Sequence, residues 1–129
     1  MKTLKNIFVF LWLLPQNIIG LLVMLFTKKQ APRERYNGTL ITRWKYGSGV
    51  SLGQFIFVSK YADEDTIAHE WGHYLQGLLL GWLYLAVIGL PSFLWAWLGE
   101  KYRKKHNVSY YSFYTERIAD AFAGVTRDI

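Results

Sequence analysis

The ten residues Thr66 to Leu75, TIAHEWGHYL, hold the most chemically specific pattern in the chain: His69 and His73 four apart, with Glu70 between them. In a helix, residues i and i+4 stand one above the other on the same face. Both imidazoles can therefore direct a ring nitrogen at a single ion. Glu70 lies about 100° around the helix from His69, off the ligand stripe but within reach of a water beside the ion. Two ligands on one stripe with a base next to them is an arrangement by which a zinc site activates water. The other side of the segment carries Ile67, Trp71, Tyr74 and Leu78, which can enter a core.

Two histidines do not complete such a site, because a catalytic zinc takes three protein ligands and keeps a position for water. The chain has no cysteine, which excludes thiolate ligands and a disulfide framework together. The third ligand is then a carboxylate or the remaining histidine, His106. Glu116 and Asp120 are four apart on one face of the last helical segment, and the small Ala119 and Ala123 beside them permit close helix approach. One acid of that strip can be a ligand. The other, one turn away, can accept the N–H of a ligand histidine and fix its tautomer.

HEWGH followed downstream by TERIADAFAG resembles the gluzincin metallopeptidases, whose pattern is H-E-x-x-H and then a later helix with E-x-x-x-D. The E-x-x-A-D form, Glu116 to Asp120, is similar to that of the membrane-embedded CAAX-processing proteases. DAFAG, Asp120 to Gly124, is similar to the ligand helix of thermolysin. Longer phrases, LPQNIIG, GVSLGQFIFVS, HEWGHYLQ, LYLAVIGLPS and YYSFYTERIAD, resemble a family of small bacterial membrane proteins. The clan resemblance implies zinc held by His69, His73 and Glu116, with Glu70 as general base and Asp120 behind a ligand histidine. Many thermolysin-like enzymes have Asn before the ligand Glu. Here Thr115 stands in that place, and its hydroxyl would take over as acceptor for a histidine N–H. The resemblance also implies an oxyanion stabiliser, for which His106 and Tyr114 are the candidates, with Tyr110, Tyr111 and Arg127 nearby. The aromatic run YYSFY reads equally as a belt at a membrane interface.

These residues must be positioned by a chain of 129 residues, 52% of them hydrophobic and 18% aromatic, which is one domain. The net charge of +6 sits in two blocks, Lys28, Lys29, Arg33, Arg35, Arg43 and Lys45, then Lys101, Arg103, Lys104 and Lys105. Each follows a long apolar run, which points to anionic lipid headgroups, and no nucleic-acid-binding motif accompanies them. Asn6 to Phe26 is uncharged over 21 residues, about 31 Å as a helix and long enough to span a bilayer core. No small-x-small cleavage site follows it, so residues 1–30 read as a retained membrane-anchor helix, kinked at Pro15-Gln16-Asn17. Residues 31–129 then form a minimal metallopeptidase-like domain. Ala31–Tyr36 reads as a polar connector. Gly38–Ser59 reads as a β-hairpin of TLITRWKY and VSLGQFIFVS about Gly47-Ser48-Gly49. Asp63 is the N-cap of the His helix, and Ser109–Arg127 is the last helix. The expected class is α+β and mainly helical: a gluzincin-like core of a small hairpin, the HExxH helix and the ExxxD helix.

Leu75 to Leu98 is also uncharged. As one straight helix of about 36 Å it would carry His73 and Glu116 to opposite sides of a membrane. Ligand bonds of about 2 Å cannot be shared across that distance. A metal site therefore demands that 75–98 fold back as an apolar hairpin, and Gly89-Leu90-Pro91 supplies turn chemistry for it. The six Lys/Arg between 28 and 45 outnumber the two before the anchor, which places the site on the cytoplasmic side of the inner membrane. The expected activity is zinc-dependent cleavage of a peptide or protein substrate, extended along QFIFVS. The rival is a non-catalytic membrane scaffold with a structural metal site.

Overall fold

In the computed structural model, which describes residues 2–27, 32–46 and 49–126, the sheet begins where a polar connector was expected. Strand β1 (Arg33–Tyr36) pairs antiparallel with β2 (Thr39–Trp44). Asn37 and Gly38 join them with φ of 43° and 91°, the two left-handed residues of a tight hairpin turn. Lys28, Lys29, Ala31, the Gly47-Ser48 turn and Arg127 lie outside the described residues.

The single hairpin expected over Gly38–Ser59 does not form. VSLGQFIFVS breaks at Gly53, φ 65°, into β3 (Val50–Leu52) and β4 (Phe55–Ser59), which pair antiparallel. Strand β4 then inserts beside β2 in parallel, giving the order β1-β2-β4-β3. The break is set from outside the sheet, because a Cβ at Gly53 would come within 2.1 Å of Asn17 Oδ1. That same oxygen accepts the N–H of Gln54 at 2.7 Å. One sheet face buries Ile41, Ile56 and Val58 against Ile67, with Tyr36, Ala62 and Trp71 at the margin. Each such burial stabilises by about 1.5–3 kcal/mol. Arg43 of the first basic block ties the sheet to the next connection through the carbonyls of Ser59, Lys60 and Ala62.

The N-terminal segment is two helices. α1 (Lys2–Trp12) and α2 (Leu14–Leu25) meet at 92° about Leu13, so the kinked anchor helix expected over Asn6–Phe26 is instead a sharp elbow, broken just before Pro15. Pro15 falls in the first turn of α2, where its missing N–H costs nothing. The inside of this elbow is polar. Gln16 donates to Gly81 O at 3.1 Å, and Asn17 holds the β3–β4 turn. No single helix among the described residues is long and apolar enough to cross a membrane.

The His helix, α3 (Glu64–Leu80), starts as expected: Asp63 Oδ1 accepts the N–H and hydroxyl of Thr66 at 2.9 and 2.8 Å. It ends at Gly81, φ 58°, against which the Trp12 indole packs so closely that a Cβ would lie 2.5 Å from the ring. A 3-10 turn (Gly81–Leu83) comes next, and beyond a 120° bend lie a π turn (Leu85–Gly89) and α4 (Leu90–Leu98). The apolar run therefore folds back at Gly81–Tyr84. At Gly89-Leu90-Pro91 the backbone stays helical, the π turn running directly into α4 with Pro91 near its start. The two elbows are tied reciprocally: Trp12 Nε1 donates to Leu78 O at 2.8 Å, and Trp82 Nε1 to Leu11 O at 2.9 Å.

The second basic block forms α5 (Glu100–His106), ended by Asn107 in the left-handed conformation. The last helix is shorter than expected. A 3-10 turn (Tyr110–Ser112) and an extended Phe113 precede α6 (Tyr114–Ala123). Helices α3 and α6 pack against each other at Gly72, the fourth residue of the HEWGH motif. A Cβ there would sit 2.0 Å from Ala119 O. Gly72→Ala is expected to cost about 1–3 kcal/mol through overpacking, and to separate the histidines from Glu116. Thermal unfolding and metal titration of the variant in detergent check this, and wild-type values in both would show that the helices have slack.

Candidate metal centre

The α3–α6 contact brings His69 and His73 of one helix to Glu116 of the other, all three buried. Each histidine turns Nε2 toward Glu116 Oε1, at 3.1 Å for His69 and 3.0 Å for His73. Ligand atoms bound tetrahedrally at 2.0–2.2 Å stand about 3.4 Å apart. Each nitrogen thus needs to part from Oε1 by only a few tenths of an ångström, and the three residues could hold an ion.

The far side of each ring is held as well. Asp120 Oδ1 lies 2.7 Å from His69 Nδ1, and Gln76 Oε1 lies 2.6 Å from His73 Nδ1. With a proton on each Nδ1 donated to these oxygens, both Nε2 lone pairs face the ligand position. Gln76 is fixed in turn, because its amide donates to Thr115 O at 2.9 Å. The Thr115 hydroxyl donates to Glu116 Oε2 at 2.6 Å; the acceptor for the second histidine is Gln76, one turn along α3. Ser92 Oγ also donates to Glu116 Oε2.

Glu70 is buried beside the cluster, its carboxyl packed against Gly49, where an added Cβ would come within 3.3 Å. Of the other sequence candidates, Tyr110 joins the cluster beside Glu116 and Ser92, whereas His106 and Tyr114 sit elsewhere. His106 is exposed on α5 with its ring against Tyr102, and Tyr114 directs its hydroxyl to Val87 O at 2.8 Å. Tyr111 meets His69 edge-on at 5.1 Å. QFIFVS cannot offer a free edge to a substrate, because β4 is paired on both sides; the edge strand near Glu70 is β3. Gln76 and Ser92 were missed by the sequence reading. Their signal was present: apart from the tryptophans, they and Tyr84 are the polar side chains of the run Leu75–Leu98.

Electrostatics follow from burial and from Glu116. Burial opposes charge on His73, yet the hydrogen bond to Glu116 and the charges of Glu70 and Glu116 outweigh it and push the imidazole up to about 9. Burial likewise opposes charge on Glu116, but hydrogen bonds from His69 and His73 hold it far below the usual carboxylate range. Glu70 is raised by burial, against the pull of His73 and His69. Without an ion, a proton on His73 thus does the neutralising.

Comparisons with protein-family models, with curated proteins and with solved structures find no match to this chain. The gluzincin resemblance therefore rests on the two motifs, and the site is read from its own geometry.

The raised His73 has a definite consequence for stability. Its contribution in the metal-free protein is complete below its ordinary value of 6.5 and is lost as pH rises through about 9. The raised Glu70 acts with the same sign. Melting temperature of chelator-treated protein should fall between pH 6.5 and 9, and metal-loaded protein should lose most of that fall, because the ion replaces the proton. Parallel pH profiles with and without metal would contradict this.

Proposed function

We propose that this chain is a membrane-associated zinc-dependent endopeptidase. The observation that carries the reading is the convergence of two imidazole Nε2 atoms on one buried carboxylate oxygen, with Glu70 beside them on the same HExxH helix. Two nitrogens and one oxygen, with no thiolate anywhere in the chain, suit zinc among the common divalent ions. His69, His73 and Glu116 hold the ion, while Asp120 and Gln76 keep the rings aligned. Zinc, when bound, polarises a scissile carbonyl and acidifies water. Glu70 takes the proton of the attacking water and passes it to the leaving amine. The edge strand β3, next to Gly49 and the Glu70 carboxyl, supports a substrate bound in extended form by strand addition.

Membrane association is supported by the outer faces of the two elbows. Leu4, Phe8, Leu22 and Leu25 on one, and Trp82, Leu83, Phe93 and Trp97 on the other, are exposed. Apolar surface of this extent marks an interaction with lipid or protein, and the exposed Lys101 and Lys105 of α5 suit anionic headgroups. Helices of 11 and 12 residues enter such a layer without crossing it. The bias of positive charge favours the cytoplasmic face.

A second reading, a scaffold with a structural metal and no turnover, is favoured by one observation. Neither His106 nor Tyr114 is turned to the cluster as an oxyanion stabiliser. Digestion of a peptide library by wild type and Glu70→Gln separates the two. The peptidase reading expects cleavage by wild type and a loss of about 100-fold or more in the variant, at unchanged zinc content. Zinc-replete wild type that cleaves nothing supports the scaffold.

A further inference from the structure

Glu116 gives one oxygen to the imidazoles and turns the other away. Oε2 accepts from Thr115, its own neighbour in α6, and from Ser92, which arrives from α4 in the returning arm of the apolar fold-back. Thr115 moves with Glu116, whatever the rest of the protein does. Ser92 is different, because its position depends on how the fold-back is seated.

We propose that Ser92 is a positioning residue for the metal ligand Glu116, so that the apolar fold-back is a working part of the metal centre. The inference rests on the reading that the site binds a divalent ion. A glutamate carboxylate turns about its last torsion over a broad range. Hydroxyl donors on Oε2 fix that rotation, leaving Oε1 alone to face His69 and His73. Loss of the Ser92 donor removes the tie from α4 and leaves Thr115 and Tyr110 as partners of Glu116, so the third ligand is less firmly ordered. The seat of α4 is itself well defined. Trp95 Nε1 donates to Tyr110 O at 2.8 Å, the Trp95 and Phe113 rings stack at 4.8 Å, and Tyr114 reaches back to Val87 O. A polar side chain in an otherwise apolar arm thereby connects the surface proposed to meet lipid with the ligand set.

The test is zinc affinity of the full-length protein in detergent, measured by competition with a chromophoric chelator, alongside the visible spectrum of the cobalt-substituted form. Ser92→Ala should weaken zinc binding by about tenfold and alter the cobalt spectrum, as loss of a partner behind a metal ligand does. Ser92→Thr, which keeps the hydroxyl, should stay within about threefold of wild type on the same scale. Trp95→Phe cuts a fold-back contact but spares the hydroxyl, and should also stay within about threefold while melting lower. Wild-type affinity in Ser92→Ala overturns the proposal, and so does an equal loss in all three variants, which assigns the effect to packing. Wild type that binds no zinc removes the metal reading itself, and this inference with it.

Discussion

A carboxylate buried between two imidazoles is the constraint on which the rest of the structure depends. Taking Glu116 out of water costs several kcal/mol unless its charge is neutralised and its oxygens are hydrogen-bonded. Both requirements are met by groups from separate parts of the chain: His69 and His73 from α3, Thr115 from α6 and Ser92 from α4. The two imidazole contacts are lost if α3 and α6 stand at an ordinary helix separation. Gly72 against Ala119 O is what lets them close. The glycine inside HEWGH is thus as much a condition of the site as the histidines on either side.

The same logic explains the polar residues in the apolar arms. Gln16, Asn17, Gln76 and Ser92 interrupt stretches that by composition alone read as membrane helices. Each hydrogen-bonds where its arm docks on the protein: to Gly81 O, to the β3–β4 turn, to His73 and Thr115, and to Glu116. The inner faces of the elbows are therefore specified by polar contacts, and the outer faces remain apolar. A bent, half-polar helix pair forms in place of each straight span.

Much of the site was legible from periodicity. His69 and His73 share a stripe because they are four apart on a helix, and so do Glu116 and Asp120, and the structure brings those stripes together. That 75–98 turns back followed from ligand bond lengths once His73 and Glu116 were assigned to one ion. Where it turns did not. Gly89 with Pro91 was the stronger local signal, yet the fold-back begins at Gly81, on which Trp12, far away in sequence, packs. Strand order failed for the same reason, since the break at Gly53 is imposed by Asn17 of α2. The Asn37-Gly38 turn was a local signal that the reading of Ala31–Tyr36 as a connector passed over.

The proposed function requires a metal ion held by two histidines of α3 and a carboxylate of α6. X-ray absorption spectroscopy of the purified, metal-loaded protein measures that directly. The expected spectrum shows about one zinc per chain with nitrogen and oxygen neighbours at about 2.0–2.2 Å and the outer-sphere pattern of two imidazoles. Zinc with no imidazole scattering, or protein that retains no metal after purification and reloading, would contradict it.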